Sequence, residues 1–250
     1  METWPPPASA LVAVLAMMTL AWVGSLVRRD ASLVDIFWGL GFVVAGGIYL
    51  AMSEGETSRG ALVFALVALW ALRLSLYILW RNWGRGEDYR YREMRERRPG
   101  TFAVWSLFVV FWFQGLLLWT ISMPLYQAQR PEPVSLGLLD ALGLALFVVG
   151  LAFEAGGDWQ LARFKADPAN RGQVMDRGFW RYTRHPNYFG NSLVWWGIWI
   201  VAAESGAWWT VVGPLVMSFL LIRVSGVAML ERTITDRRPG YAEYTRTTSA

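Results

Sequence analysis

The 250-residue chain is 55% hydrophobic with a mean hydropathy of +0.32, more apolar mass than one soluble core of this length uses. Its formal charge of +4 and pI near 9.6 do not mark a nucleic-acid surface, because the basic residues stand between long apolar runs rather than on one polar face. The lack of cysteine excludes disulfides, thiolate metal sites and cysteine nucleophiles, and a lone histidine, His185, excludes a histidine-rich metal centre, so no metal site is expected.

Apolar stretches of about 20 residues cross a bilayer as helices, and they recur here at 8–27, 31–52, 60–80, 102–126, 136–157, 187–203 and 206–230. The first has no basic residue before it and runs almost directly into the second, so it reads as a span rather than a cleaved signal. The pattern predicts an all-α integral membrane protein with about seven transmembrane helices and a single membrane domain over 1–250. Lys and Arg are lopsided between alternate connections. Arg28 and Arg29, seven residues in 81–100, six in 158–186 and four in 231–250 lie on one side, against Arg59 and Arg130 on the other. Cytoplasmic loops retain positive charge, which places the N-terminus outside and the C-terminus in the cytoplasm of a bacterial inner (plasma) membrane.

Four ionisable residues fall inside spans: Asp35, Arg73, Glu154 and Arg223. Charge is costly in hydrocarbon, and all four lie near cytoplasmic ends, so they predict either a polar cavity open to the cytoplasm or separate snorkelling and structural pairs. Trp80, Trp83, Trp208 and Trp209, at span ends, read as an interfacial belt, and Gln114 is the main mid-span polar group.

The fifth span ends in Glu154-Ala-Gly-Gly-Asp158-Trp-Gln160-Leu-Ala-Arg163-Phe-Lys165, with Glu154 and Asp158 on one helix face. Arg163, Lys165, Arg171, Arg181 and Arg184 supply donors suited to phosphate, although each is also explained as part of a positive-inside loop. Arg181-Tyr182-Thr183-Arg184-His185-Pro186-Asn187-Tyr188-Phe189-Gly190 gathers cations, amide and phenols where Pro186 suits the first turn of a helix. Neither a dinucleotide-binding glycine fingerprint nor a P-loop is present, so any nucleotide is held by helices and loops.

DWQLARFKADPANRG, FWRYTRHPNYFG and the terminal RRPGYAEYTRTTSA resemble the steroid 5-alpha-reductase and sterol-reductase superfamily, nearest an uncharacterised bacterial branch. VDIFWGLGF and WALRLSLYILWRNWGRGEDYRY resemble that branch too, and the HP-x-Y-x-G element is distantly similar to isoprenylcysteine carboxyl methyltransferases. The resemblance implies a substrate-side part over 1–126 with four helices, and a cofactor-binding part over 136–250 with a cytoplasmic loop at 158–186. NADPH would enter from the cytoplasm and a lipid-like substrate from the bilayer, for reduction of a C=C bond conjugated to a carbonyl. Carried over by position, Glu154, Asp158, Lys165, Asn187 and Tyr188 fall on cofactor-contacting segments. Arg171, Arg181 and Arg184, with His185 beside them, would serve the phosphates, and Tyr241 and Tyr244 the closing segment. Trp70 stands near the position where characterised reductases carry a tyrosine, and Asn191 where a glutamate follows NYFG. With those departures, binding and protonation of the substrate would fall to Asp35, Arg73 and Tyr77. The alternative is an S-adenosylmethionine-dependent membrane methyltransferase, and a third reading is a non-catalytic lipid-binding protein or transporter. No nucleic-acid partner is expected.

Overall fold

A computed structural model describes residues 4–54, 58–130, 135–206, 208–224, 226–227, 231 and 240–250. All regular structure among them is helical. Five helices are long and apolar enough to cross a membrane: α1 (Pro6–Arg28), α2 (Leu33–Ala51), α3 (Ser58–Asn82), α5 (Phe102–Ala128) and α6 (Leu138–Ala166). A short charged helix, α4 (Tyr89–Glu96), precedes α5. Beyond α6, α7 (Pro186–Ala203) opens on polar residues, α8 (Trp208–Val224) is shorter, and α9 (Tyr241–Thr247) closes the chain. Leu69, Leu72 and Leu76 on α3, and Leu142 and Val149 on α6, are exposed. Apolar outer faces of this kind fit contact with lipid tails and are consistent with a multi-pass membrane protein.

Three local features differ from the expected spans. The helix expected to stop at 157 continues as α6 to Ala166, so Asp158, Arg163 and Lys165 are helical rather than in a loop. The polar stretch after α3 contains α4, whose Asp88 accepts a hydrogen bond from the Arg90 N–H at 3.0 Å and so caps it. Within α5, residues Leu107–Trp112 adopt π-helical geometry, the insertion that rotates the following residues around the axis. Residues 207, 225 and 228–230 of the seventh expected span, and Arg237, Arg238 and Pro239 of the terminal motif, lie outside the described residues.

The chain divides into two compact units, the first 1–136 with 205–210 and the second 137–204 with 211–250. In the first, α1, α2, α3 and α5 pack around fully buried aromatic residues, Phe42 meeting Trp70 edge-on at 5.6 Å. Polar groups tie these helices where sequence-distant backbones meet. Ser75 donates to the Ile36 carbonyl at 2.8 Å, Tyr49 and Ser122 share a hydrogen bond of 3.1 Å, and the Trp112 indole donates to Thr19 at 3.0 Å. In the second unit, α6 and α7 lie against one another along a seam of glycines. Gly143, Gly150 and Gly157 recur every seven residues on α6, opposite Gly190 and Gly197 on α7. A Cβ at Gly150 would lie 2.7 Å from both the Gly190 carbonyl oxygen and the Val194 nitrogen. Without side chains there, the backbones approach closely enough for short side chains beside the seam to meet.

Candidate functional site

The glycine seam sets up the polar centre of the second unit. Glu154 and Asp158 stand four apart on α6, Asn187 and Asn191 four apart on the antiparallel α7, and the two pairs meet as rungs. The Asn191 amide donates to Glu154 Oε1 at 3.3 Å, and the Asn187 amide donates to Asp158 Oδ1 at 3.2 Å. Glu154, Asp158 and Asn191 are buried, and Asn191 Oδ1 has no hydrogen-bond partner among the described residues. A buried amide oxygen left without a donor is costly, and a ligand N–H would satisfy it. The Trp180 indole donates to the Gly157 carbonyl at 3.0 Å between the rungs and the loop that follows, and Tyr244 donates to the Trp180 carbonyl.

Glu231 gathers a second cluster. Arg184 Nε donates to Glu231 Oε1 at 2.9 Å, His185 Nε2 lies 3.1 Å from the same oxygen, and Tyr241 donates to it at 3.4 Å. Arg184 also donates through Nη1 to the Thr248 carbonyl at 2.5 Å and through its backbone N–H to the Ser249 carbonyl at 2.8 Å. This arginine therefore clamps the last turn of the chain. Burial alone would raise the Glu231 pKa, but hydrogen bonds from Arg184 and His185 hold it below the ordinary carboxylate value. Burial lowers the His185 pKa and outweighs the pull of Glu231, so the imidazole stays neutral, stacked 5.6 Å from the Tyr188 ring. Burial also pushes the phenols of Tyr241 and Tyr244 upward. Lys165, Arg171 and Arg181 are exposed between this cluster and the rungs in sequence.

In the first unit, Asp35 accepts from Arg90 Nη2 at 2.8 Å and from the Tyr91 hydroxyl at 2.6 Å. Tyr91 is buried, with Gln114 of α5 hydrogen-bonded to it in turn, so the turn after the π-helical segment meets α4 at this point. Burial raises the Tyr91 pKa and the Asp35 charge raises it further, keeping the phenol protonated. Burial tends to lower Arg90, but the attraction of Asp35 overrides it and holds the guanidinium charged. Arg73 lies 5.3 Å from the centre of the Tyr77 ring, one turn along α3.

Of the residues singled out from the sequence, the structure brings Glu154, Asp158, Asn187 and Asn191 together as rungs, and Arg184, His185 and Tyr241 around Glu231, with Tyr188 stacked on His185. Asp35, Arg73 and Tyr77 belong to the first unit, with Asp35 engaged by α4 and Arg73 by Tyr77. Arg223 is exposed, and Trp70 is wholly buried against Phe42. Sequence reasoning missed Arg90 and Tyr91 as partners of Asp35, because 81–100 reads as a charged loop. The signal that could have found them is Asp88 at a cap position, followed by the apolar-faced turn carrying Tyr91.

These features define a helical multi-pass membrane protein with a buried carboxylate and carboxamide centre. The chain belongs to the family described as protein of unknown function DUF1295, whose model matches residues 21–248. It is 29% identical over 240 residues to an uncharacterised protein of Schizosaccharomyces pombe, an alignment covering 85% of this chain. The chain spans 65% of that relative's length. No solved structure matches it significantly.

Proposed function

We propose that this protein is an NADPH-dependent membrane reductase of a C=C bond conjugated to a carbonyl in a sterol-like, isoprenoid or other lipid. In this reading it is a member of the steroid 5-alpha-reductase-like proteins, to which the DUF1295 family is related. The observation that carries the reading is the pair of rungs in the second unit, and above all the partnerless, buried Asn191 Oδ1. The donor set fits a nicotinamide nucleotide. Asn191 Oδ1 accepts from a carboxamide N–H, Asp158 and Glu154 accept from ribose hydroxyls, and Lys165, Arg171 and Arg181 face the phosphates from the cytoplasmic segment. When bound, the cofactor supplies the hydride.

The chain's own residues supply orientation and the proton. In this reading Asp35, Arg73 and Tyr77 of the first unit bind the substrate and supply its proton, and Arg90 and Tyr91 hold the Asp35 carboxylate in place. Seven crossings with the N-terminus outside and the C-terminus cytoplasmic, in a bacterial inner membrane, bring the nucleotide segment to the cytosol.

An S-adenosylmethionine-dependent methyltransferase is the second reading. One observation favours it: Arg184 is already taken by Glu231 and two terminal carbonyls, which lowers the number of cations left for phosphates. Calorimetry on detergent-purified protein with NADPH, NADH and S-adenosylmethionine in parallel separates the two. NADPH binding is expected, with Asp158→Ala and Asn187→Ala each abolishing it while the fold stays intact. Binding of S-adenosylmethionine alone would reverse the assignment.

A further inference from the structure

The segment between α3 and α5 does more than fill a cytoplasmic loop. Residues 81–98 hold seven arginines against four carboxylates, and two of these, Glu87 and Asp88, are spent within the unit while Glu93 and Glu96 are exposed. Glu87 accepts from the Ala31 N–H at 2.9 Å and from Arg95 at 2.7 Å, while Asp88 caps α4 and accepts from Arg90 Nε at 2.9 Å. Glu93 meets Arg97 at 3.4 Å between exposed side chains, a contact of little strength. Arg85, Arg92 and Arg97 are exposed.

Aromatic rings mark the depth at which these cations sit. Trp80 and Trp83, at the end of α3, are 66% and 74% exposed, as suits indoles lying at headgroup level. Where α5 begins, the Arg95 guanidinium stacks 4.3 Å from the Phe102 ring centre and that of Arg98 4.0 Å from Trp105. The Arg95 edge is taken by Glu87, whereas Arg98, stacked by its face, presents its N–H edge to a phosphate oxygen pair.

We infer that the segment from Arg81 to Arg98 is a docking surface for anionic phospholipid headgroups. The inference is independent of the reductase reading, since the arginines it tests, Arg85, Arg92 and Arg97, are assigned there to neither nucleotide nor substrate. A basic cluster directly beside a membrane-spanning helix, carried at the interface by tryptophans, is complementary in charge and in depth to a leaflet rich in anionic lipid. Each arginine at such a surface contributes about 1 kcal/mol. Removing Arg85, Arg92 and Arg97 together therefore lowers affinity on the order of 100-fold.

Native mass spectrometry of the full chain released from detergent, titrated with phosphatidylglycerol or phosphatidylcholine, tests this. Adducts are expected with phosphatidylglycerol and not with phosphatidylcholine. The triple variant Arg85→Gln, Arg92→Gln, Arg97→Gln should lose them, and the corresponding triple Arg→Lys variant, which keeps charge and controls for folding, should retain them. Arg163→Gln with Arg177→Gln and Arg246→Gln removes equal charge elsewhere and should leave the adducts intact. Equal binding of the two lipids, or equal loss in this control, would overturn the assignment. So would displacement of the lipid by inorganic phosphate at matched ionic strength.

Discussion

Asp35 shows how far a single residue can be read. A carboxylate inside an apolar run demands a partner, and that much follows from its position. The identity of the partners does not, because Arg90 and Tyr91 come from a charged stretch more than fifty residues away. Tyr91→Phe removes one donor and leaves the Arg90 pair, so it should cost about 1 kcal/mol of stability. Equal melting temperatures of wild type and variant would exclude that contribution. Asp35→Asn should cost more stability than Tyr91→Phe, since it leaves the half-buried Arg90 guanidinium with Asp88 alone as its carboxylate partner. His185 offers a titration. Its folded pKa is depressed below the ordinary 6.5, so its contribution is complete above that pH and is lost as pH falls through the folded value. Glu231, also depressed, adds a further loss below its ordinary 4.5. Protease protection of the terminal helix should therefore decline as pH falls below 6.5, and His185→Gln should flatten that limb. A wild-type profile without slope in this range would contradict the arrangement.

At the scale of elements, the glycine seam decides where the rungs fall. Gly150→Ala places a Cβ 2.7 Å from backbone atoms of α7, so the helices must separate at a cost of about 1–3 kcal/mol. The same displacement should pull Asn191 from Glu154 and weaken ligand binding together with stability. Gly47→Ala, whose Cβ would make an ordinary 3.8 Å contact with Phe64, serves as the control and should leave the melting temperature unchanged. Helix existence was legible in the apolar run lengths, and the shared face of Glu154 and Asp158 in their spacing. The seam was legible too, as glycines recurring every seven residues, but only once α6 is known to lie on α7. Neither the extension of α6 to Ala166 nor the π-helical turn before Gln114 carries a comparable sequence signal. The first depends on the Phe179 N–H and the Trp180 indole donating back onto the helix at Gln160 and Gly157, and the second on tertiary contacts that override a continuous apolar run.

Across the whole molecule, the distribution of arginines fixes less than it seems to. It places 81–100, 158–186 and the C-terminus on one side, yet that pattern holds whether the last two helices cross as a pair or neither does. Length bears on the choice. With 18 residues, α7 is about 27 Å long, close to the roughly 30 Å hydrocarbon core, whereas the shorter α8 reaches across only if the bilayer thins or the helix extends beyond Val224. The native sequence lacks cysteine, so single cysteines can report sidedness without background. Seven crossings predict that Glu54→Cys and Arg130→Cys react with a membrane-impermeant maleimide on intact cells, and that Gln173→Cys and Ala250→Cys react only after permeabilisation. The informative position is Trp209, exposed and at the turn into α8. Trp209→Cys should label from outside if α7 and α8 both cross. Labelling only after permeabilisation would leave five crossings, with both helices lying at the cytoplasmic interface, because no arrangement of the arginines distinguishes the two.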